Sequence, residues 1–138
     1  MPRIMAIDFG LKRTGLAVTD PLQIIPGGLA TVETRKLMEY LDMYFKKEPV
    51  ELVVIGDPRN NDGSDTHATK PVAAFIEAFK KKFPAMPIVT ADERFTSRMA
   101  RNSMLEMGLN RKKRQNKALV DEISAIIILR EYMESRSV

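Results

Sequence analysis

Residues 4–10 read IMAIDFG, and residues 14–19 read TGLAVT. The first run is apolar up to Asp8 and predicts a buried strand that ends in a carboxylate, and the second predicts its partner in a hairpin. A carboxylate at the end of a buried strand costs free energy unless a charge or a hydrogen-bond donor meets it. Gly10 and Gly15 are expected to supply the freedom for tight turns between the strands. Asp8 therefore indicates a site for a metal ion or a phosphate group at the rim of a sheet.

The rest of the chain predicts a mixed sheet covered by helices. Thr34 is expected to cap the first helix, and the wholly apolar run at 52–56 is typical of a buried parallel strand. Further strands are predicted at 29–33 and 87–91, and helices at about 34–47, 68–83, 96–107 and 117–134. The order β-β-β-α-β-α-β-α-α predicts one α/β domain over residues 1–138, with an antiparallel hairpin and parallel additions flanked by helices.

The composition narrows the classes of protein to consider. Hydrophobic residues make up 44% of the chain, which argues against a disordered chain, and the absence of cysteine excludes disulfides and Cys-based zinc sites. The apolar runs are too short to span a bilayer, and no apolar stretch of signal-peptide form precedes the first strand. We therefore expect a cytoplasmic protein without a membrane partner.

Positive charge is concentrated in one part of the sequence. Between residues 94 and 117 there are eight basic residues and one acid, Glu106, a net charge of +7 against +4 for the whole chain. The basic residues are Arg94, Arg98, Arg101, Arg111, Lys112, Lys113, Arg114 and Lys117. Such a block on an otherwise net acidic chain indicates a polyanion partner at one face of the domain. The alternative for 111–117 is a solvated loop.

Several acids are placed where they could converge. Asp8, Asp57 and the pair Asp92-Glu93 follow predicted strands, and ligands in such sheets bind beyond the carboxyl ends of parallel strands. Asp121 lies in the first turns of the last helix and shares a predicted face with apolar residues, so it could approach Asp8. Carboxylates favour Mg²⁺ or Mn²⁺, and two such ions can support phosphodiester cleavage without His, Ser or Cys.

Each acid taken alone also has a structural interpretation. Asp8 could cap a turn through its side chain, and Glu93 could be a solvated loop acid. Asp121 could be a first-turn acid favoured by the helix dipole. His67 is more typical of a capping or surface residue than of a catalytic one. The joint pattern of acids, rather than any single residue, favours the metal-site hypothesis.

The ordered set of motifs resembles the YqgF family over nearly the whole chain. The resemblance rests on Ile7-Asp8-Phe9-Gly10 with Gly15, on Gly56-Asp57-Pro58 with Asn61-Asp62-Gly63, on Asp92-Glu93-Arg94 with Thr96, and on residues 117–121 with Ser124-Ala125 and Ile128-Leu129. Members of that family are described as candidate Holliday-junction resolvases and candidate nucleases for the 5′ end of pre-16S ribosomal RNA.

The resemblance implies a ribonuclease H-like fold and divalent-metal cleavage of nucleic acid, with Asp8, Glu93 and Asp121 as the acidic triad. Asp57 stands where the family usually has an apolar residue. In related resolvases an acid at the end of the corresponding strand is a metal ligand. Asp57 is therefore either a fourth ligand or a solvated acid, and whether it or Glu93 is the second main ligand stays open.

Three functions compete. As a nuclease, the protein would act on a structured RNA precursor or on branched DNA, with Arg94, Arg98, Arg101 and the block at 111–117 holding phosphates. As an ATPase or sugar kinase domain, it would use Asp8-x-Gly10-x-x-x-x-Gly15 as a phosphate loop, although 138 residues cannot hold the second lobe that such proteins need. As a catalytically silent nucleic-acid-binding protein, it would not depend on Asp8.

Overall fold

The computed structural model describes residues 2–57, 69–92 and 117–136. The strands are β1 (Arg3–Asp8), β2 (Arg13–Thr19), β3 (Pro26–Glu33), β4 (Val50–Asp57) and β5 (Ile88–Asp92). The helices are α1 (Leu37–Lys47), α2 (Thr69–Lys82) and α3 (Lys117–Arg136), and a 3₁₀ turn (Thr34–Lys36) precedes α1. Every strand and helix predicted within these ranges is present. The helix predicted at 96–107 and His67 lie outside the described residues.

The five strands form one mixed sheet in the order β3-β2-β1-β4-β5. β2 is antiparallel to both β1 and β3, whereas β4 is parallel to both β1 and β5. This is the predicted antiparallel hairpin with parallel additions. The parallel strands β1, β4 and β5 therefore end at the same edge, which we call the carboxyl edge of the sheet. Over the described ranges, no helix combines the length and apolar character needed to cross a bilayer.

The two faces of the sheet are covered by different helices. Met5, Ile7 and Ile55 point to the face covered by α1 and α2, where they pack with residues such as Leu41, Val72, Phe75 and Phe79. Ile4, Ala6 and Val54 point to the opposite face, where they pack with Ala125, Ile128 and Leu129 of α3. Strand residues alternate between faces, so these two clusters assign a face to every later position along β1 and β4.

The start of the first helix differs from the prediction. Thr34 does not cap α1, because the residue before that helix is Lys36 and it makes no side-chain capping bond. Thr34 lies in the 3₁₀ turn, and its hydroxyl donates to the carbonyl oxygen of Gly10 at 2.6 Å and contacts the Thr14 hydroxyl at 2.9 Å. The residue that looked like a local cap therefore binds a distant turn, which a pattern of neighbouring residues does not reveal.

Candidate active site at the carboxyl edge

Three acids end the three parallel strands. Asp8 is the last residue of β1, Asp57 of β4 and Asp92 of β5, and Asp57 and Asp92 are register partners. The sequence-based expectation that acids gather at the strand ends is thus correct for the backbone. Ligand sites of open α/β sheets lie at this edge, so it is the candidate site on topological grounds.

Asp8 and Asp57 belong to different faces of the sheet. Ala6 packs with α3, and alternation places Asp8, two residues further on, on the same face. Ile55 packs on the face of α1 and α2, and the same alternation assigns Asp57 to that face. The strand geometry therefore separates Asp57 from Asp8, although the two residues end neighbouring strands.

Asp121 is carried to the face of Asp8 by a close contact between α3 and β2. Gly15 is the register partner of Asp8, and a Cβ atom placed on Gly15 would lie 2.1 Å from the backbone carbonyl oxygen of Asp121. Directly opposed residues of an antiparallel pair are only about 4.5–5.5 Å apart between Cα atoms, so Asp121 is seated beside Asp8. Gly15 lies inside β2, and its role is this close approach rather than the turn predicted from the sequence.

The Asp121 carboxylate is held by a basic residue of β2. Arg13 Nε donates to Asp121 Oδ2 at 3.0 Å, and the two side chains are 38% and 25% exposed. Arg13 and Gly15 are two residues apart on one strand, so the same segment of β2 contacts both the backbone and the side chain of Asp121. A partly exposed ion pair of this kind fixes a direction for the carboxylate more than it contributes to stability.

The turn that follows Asp8 is held by hydrogen bonds from Thr34. The Thr34 hydroxyl binds the Gly10 carbonyl, and the Thr34 amide donates to the Lys12 carbonyl oxygen at 2.9 Å. A Cβ atom at Gly10 would come within 2.3 Å of the Arg13 carbonyl oxygen, so this tight turn requires glycine. The turn therefore holds Asp8 and Arg13 in fixed positions relative to each other.

Other predicted site residues lie outside the described residues. These are Glu93, Arg94, Arg98, Arg101, Arg111, Lys112, Lys113 and Arg114. Of the basic block only Lys117 is reached, as the first backbone residue of α3. Within the described ranges, no three His, Cys, Asp or Glu residues form a group that could hold a metal ion. Asp8, Asp57 and Asp121 thus do not make a complete metal centre on their own.

Arg13 and Thr34 are residues of this edge that the sequence analysis did not assign to it. Arg13 had no usable signal, because it precedes the strand predicted at 14–19 and its partner Asp121 lies 108 residues away. Thr34 had none, since its contact with Gly10 joins segments 24 residues apart.

The comparisons with known proteins define the class. The RuvX family, described as Holliday junction resolvase, matches residues 2–135, and the chain belongs to this family. It is thus a member of a family of nucleases, hydrolases that act on ester bonds, and the resemblance to the YqgF family is confirmed.

Relatives are similar over their whole lengths. A protein of Bacteroides thetaiotaomicron named "Putative pre-16S rRNA nuclease" is 52% identical over 136 residues, which cover 99% of each chain. A protein of Flavobacterium johnsoniae with the same name is 49% identical over 136 residues, again 99% of each chain.

Solved structures confirm the ribonuclease H-like fold. Thermus thermophilus RuvC in complex with a Holliday junction substrate has a TM-score of 0.58 at 14% identity and covers 99% of this chain and 96% of its own. The yeast mitochondrial Holliday junction resolvase Ydc2 has a TM-score of 0.61 at 12% identity and covers 99% of this chain and 79% of its own.

Proposed function

We propose that this protein is a divalent-metal-dependent endonuclease that hydrolyses phosphodiester bonds in the 5′ region of pre-16S ribosomal RNA. The observation that carries the site is the contact of α3 with Gly15, which seats Asp121 beside Asp8 at the carboxyl edge. The names of relatives about half identical over their full lengths favour the RNA substrate. The resolvase structures, at 12–14% identity, support the fold alone.

The residues at this edge fit a hard divalent cation. Carboxylates are the side chains that Mg²⁺ and Mn²⁺ prefer, and Asp8 and Asp121 lie on one face with a cation, Arg13, already bound to one of them. In this proposal Asp8 and Asp121 are ligands, and Glu93, which directly follows β5 in the sequence, supplies the third carboxylate. Ions held there would activate a water molecule and stabilise the leaving oxygen.

Asp57 is a weaker candidate for a ligand than Glu93. Alternation along β4 assigns Asp57 to the face of α1 and α2, away from Asp8. We therefore propose Asp8, Glu93 and Asp121 as the catalytic triad. Asp57→Asn should reduce cleavage much less than Glu93→Gln, measured under the same Mg²⁺ concentration.

The basic residues at 94–117 would bind the phosphate backbone of the substrate. Charged side chains of this kind give affinity that depends on salt and carries no base preference. Together with Arg13 they would offset the negative charge that the triad presents to a phosphodiester.

The test is Asp8→Asn in a cleavage assay with labelled pre-16S RNA and Mg²⁺ or Mn²⁺. The substitution removes a ligand charge without changing volume, so we expect cleavage to fall by more than roughly 100-fold, beyond the cost of losing a residue that only supports a ligand. Binding of the RNA should persist. Asp42→Asn is the matched control, since Asp42 lies on α1, half exposed and paired with Lys46 at 3.1 Å. Wild-type cleavage by Asp8→Asn would reject the proposal.

A second arm compares substrates. The same variants are assayed on a four-way DNA junction, because a Holliday-junction resolvase is the alternative that the family description supports. If the junction is cleaved much faster than the RNA, the proposed substrate becomes branched DNA, and the proposed role of Asp8 is unchanged. The family membership gives the ATPase hypothesis no corresponding support.

A further inference from the structure

Arg13 is placed at the reacting edge by its position on β2. It is the first residue of that strand and shares a face with Gly15 and with Ala17, which packs against α3. Its Nε atom binds Asp121 Oδ2 at 3.0 Å, and its side chain is 38% exposed. The guanidinium therefore lies beside a proposed ligand and also reaches solvent.

The terminal nitrogens of Arg13 have donors to spare. A guanidinium carries five N–H groups in a rigid plane, and Nε uses one of them. Within residues 2–57, 69–92 and 117–136, Asp121 is the one hydrogen-bond partner of the Arg13 side chain. Glu33, which faces Arg13 in the β2–β3 register, is bound to Arg35 at 2.7 Å. The Arg35 guanidinium also holds the pKa of Glu33 below its usual value, so Glu33 remains the anionic partner of Arg35.

The negative charges at this edge favour a nearby cation such as the Arg13 guanidinium. Asp8 and Asp121 present two carboxylates to a polyanionic substrate, which they repel until cations intervene. A guanidinium that is anchored through Nε loses less conformational freedom on binding than a free one, because its plane is already set. Arginine is also the side chain that matches two phosphate oxygens at once.

We propose that Arg13 binds a phosphate of the nucleic acid through its terminal nitrogens while Nε stays on Asp121. Arg13 thereby couples the position of Asp121 to the position of the substrate backbone. The inference rests on the proposed nuclease function, because it takes the carboxyl edge as the place where the substrate lies.

The test measures binding without catalysis. In the Asp8→Asn background, with EDTA and no divalent ion, the affinity for labelled pre-16S RNA is measured over a range of salt concentrations. Arg13→Gln should weaken binding on the order of tenfold, as expected for a hydrogen bond to a charged group. The slope of log K against log salt should fall by about 0.7–0.9, the value for one phosphate contact.

The matched control is Arg136→Gln. Arg136 is in the last turn of α3, at the opposite end of the helix from Asp121, and its side chain also donates a hydrogen bond, to Gln23 Oε1 at 3.0 Å. Arg136→Gln removes the same charge as Arg13→Gln. The RNA affinity and the slope of log K against log salt should therefore stay at the values of the Asp8→Asn parent. An equal decrease in both variants would overturn the proposal, because net charge alone would then explain it.

A second readout separates phosphate binding from a purely structural role. With Asp8 intact, Mn²⁺ alone should raise the melting temperature of Arg13→Gln as it does that of wild type. Unchanged RNA binding together with loss of this Mn²⁺ effect would overturn the proposal and leave Arg13 as a residue that only positions Asp121. If Arg13→Gln does not fold, Arg13→Lys replaces it, with the salt slope retained and affinity several-fold weaker because lysine lacks the planar fork.

The two proposals fail in different ways. Failure of the nuclease function appears as undiminished cleavage by Asp8→Asn in the presence of Mg²⁺. Failure of the Arg13 assignment appears as unchanged affinity and salt slope of Arg13→Gln in the complete absence of divalent ions.

Discussion

The two faces of the sheet are packed differently, with a cluster of aromatic rings on one and a close backbone approach on the other. On the face of α1 and α2, the Phe79 ring contacts the rings of Phe45, Phe75 and Phe83, and Phe75 also stacks on Phe9. On the face of α3, aliphatic side chains pack with alanines, and Gly15 lies against the α3 backbone. The cluster consists of Ile4, Ala6, Ala17, Val54, Ala125, Ile128 and Leu129.

This difference assigns separate tasks to the faces. Large buried rings remove the most apolar area from water, so the face of α1 and α2 supplies much of the stability. Small residues let a helix backbone approach a strand backbone, and on the face of α3 that approach seats Asp121 beside Asp8. The chemistry of the proposed site thus depends on the α3 face rather than on the phenylalanine cluster.

The largest expected effect on stability comes from the aromatic face. Phe79 is fully buried, so Phe79→Ala removes a ring from a packed cluster and should lower the free energy of unfolding by about 3–5 kcal/mol. Urea unfolding measures this change. Cleavage per folded molecule at low temperature should stay close to that of wild type, because Phe79 reaches the carboxyl edge indirectly, through Phe75, whose ring stacks on Phe9 next to Asp8.

Met43→Ala is the control for Phe79→Ala. Met43 lies on α1 and is 66% exposed, so its truncation should change stability by less than about 0.5 kcal/mol. A large loss of cleavage in folded Phe79→Ala would contradict the division of tasks between the two faces.

The next largest effect on stability should appear on the α3 face. There, in contrast to Phe79→Ala, the substitution should reduce cleavage strongly. In Gly15→Ala the added methyl group meets the Asp121 backbone at 2.1 Å, and neither backbone can yield cheaply. We expect a loss of about 1–3 kcal/mol in stability. Displacement of Asp121 by about 1 Å should in addition cost on the order of 100-fold in cleavage.

Gly27→Ala is the matched control for Gly15→Ala. A Cβ atom at Gly27 would meet its nearest atom, the Val18 carbonyl oxygen, at 3.9 Å, which is an ordinary contact. Both stability and cleavage should stay close to wild type. Full activity of folded Gly15→Ala would show that the seat of α3 on β2 does not position Asp121 for the reaction.

The sequence pattern was sufficient to predict the strands and helices and the edge of the sheet at which the acids lie. Alternation and apolar runs depend on neighbouring residues, and they correctly predicted the strands, the helices within the described ranges and the acids at the ends of β1 and β4. The ribonuclease H-like topology followed from the resemblance, and the comparisons confirm it. The triad itself remains a prediction, since Glu93 lies outside the described residues.

The missed features are all contacts between distant segments. Gly15 has the same sequence signature whether it makes a turn or admits a helix, and only the position of α3 distinguishes the two. A threonine hydroxyl before a helix usually caps that helix, but the Thr34 hydroxyl binds the carbonyl oxygen of Gly10. Arg13 pairs with an acid 108 residues away, which no local pattern encodes.

The smallest expected effect comes from an acid with a structural role, which sharpens the contrast with Asp8. Asp20 lies in the β2–β3 turn, near the amino end of β1, and its carboxylate accepts the backbone amides of Leu22, Ile24 and Ile25 at 3.1, 2.7 and 2.7 Å. These bonds, led by that of Ile25, lower the pKa of Asp20 below its usual 3.8. Asp20→Asn should therefore cost some stability at neutral pH and leave cleavage unchanged.

The pH dependence of that cost identifies its origin. A carboxyl group with a lowered pKa in the folded state stabilises the fold fully above its unfolded pKa, and this contribution disappears as the pH falls through the folded value. The difference in melting temperature between wild type and Asp20→Asn should thus be constant above about pH 5 and shrink below pH 3.8. A difference that persists unchanged to pH 2 would mean that asparagine disturbs the turn by its shape rather than by its missing charge. Asp8→Asn, measured in parallel, should instead lose cleavage at every pH, because it removes the proposed metal ligand.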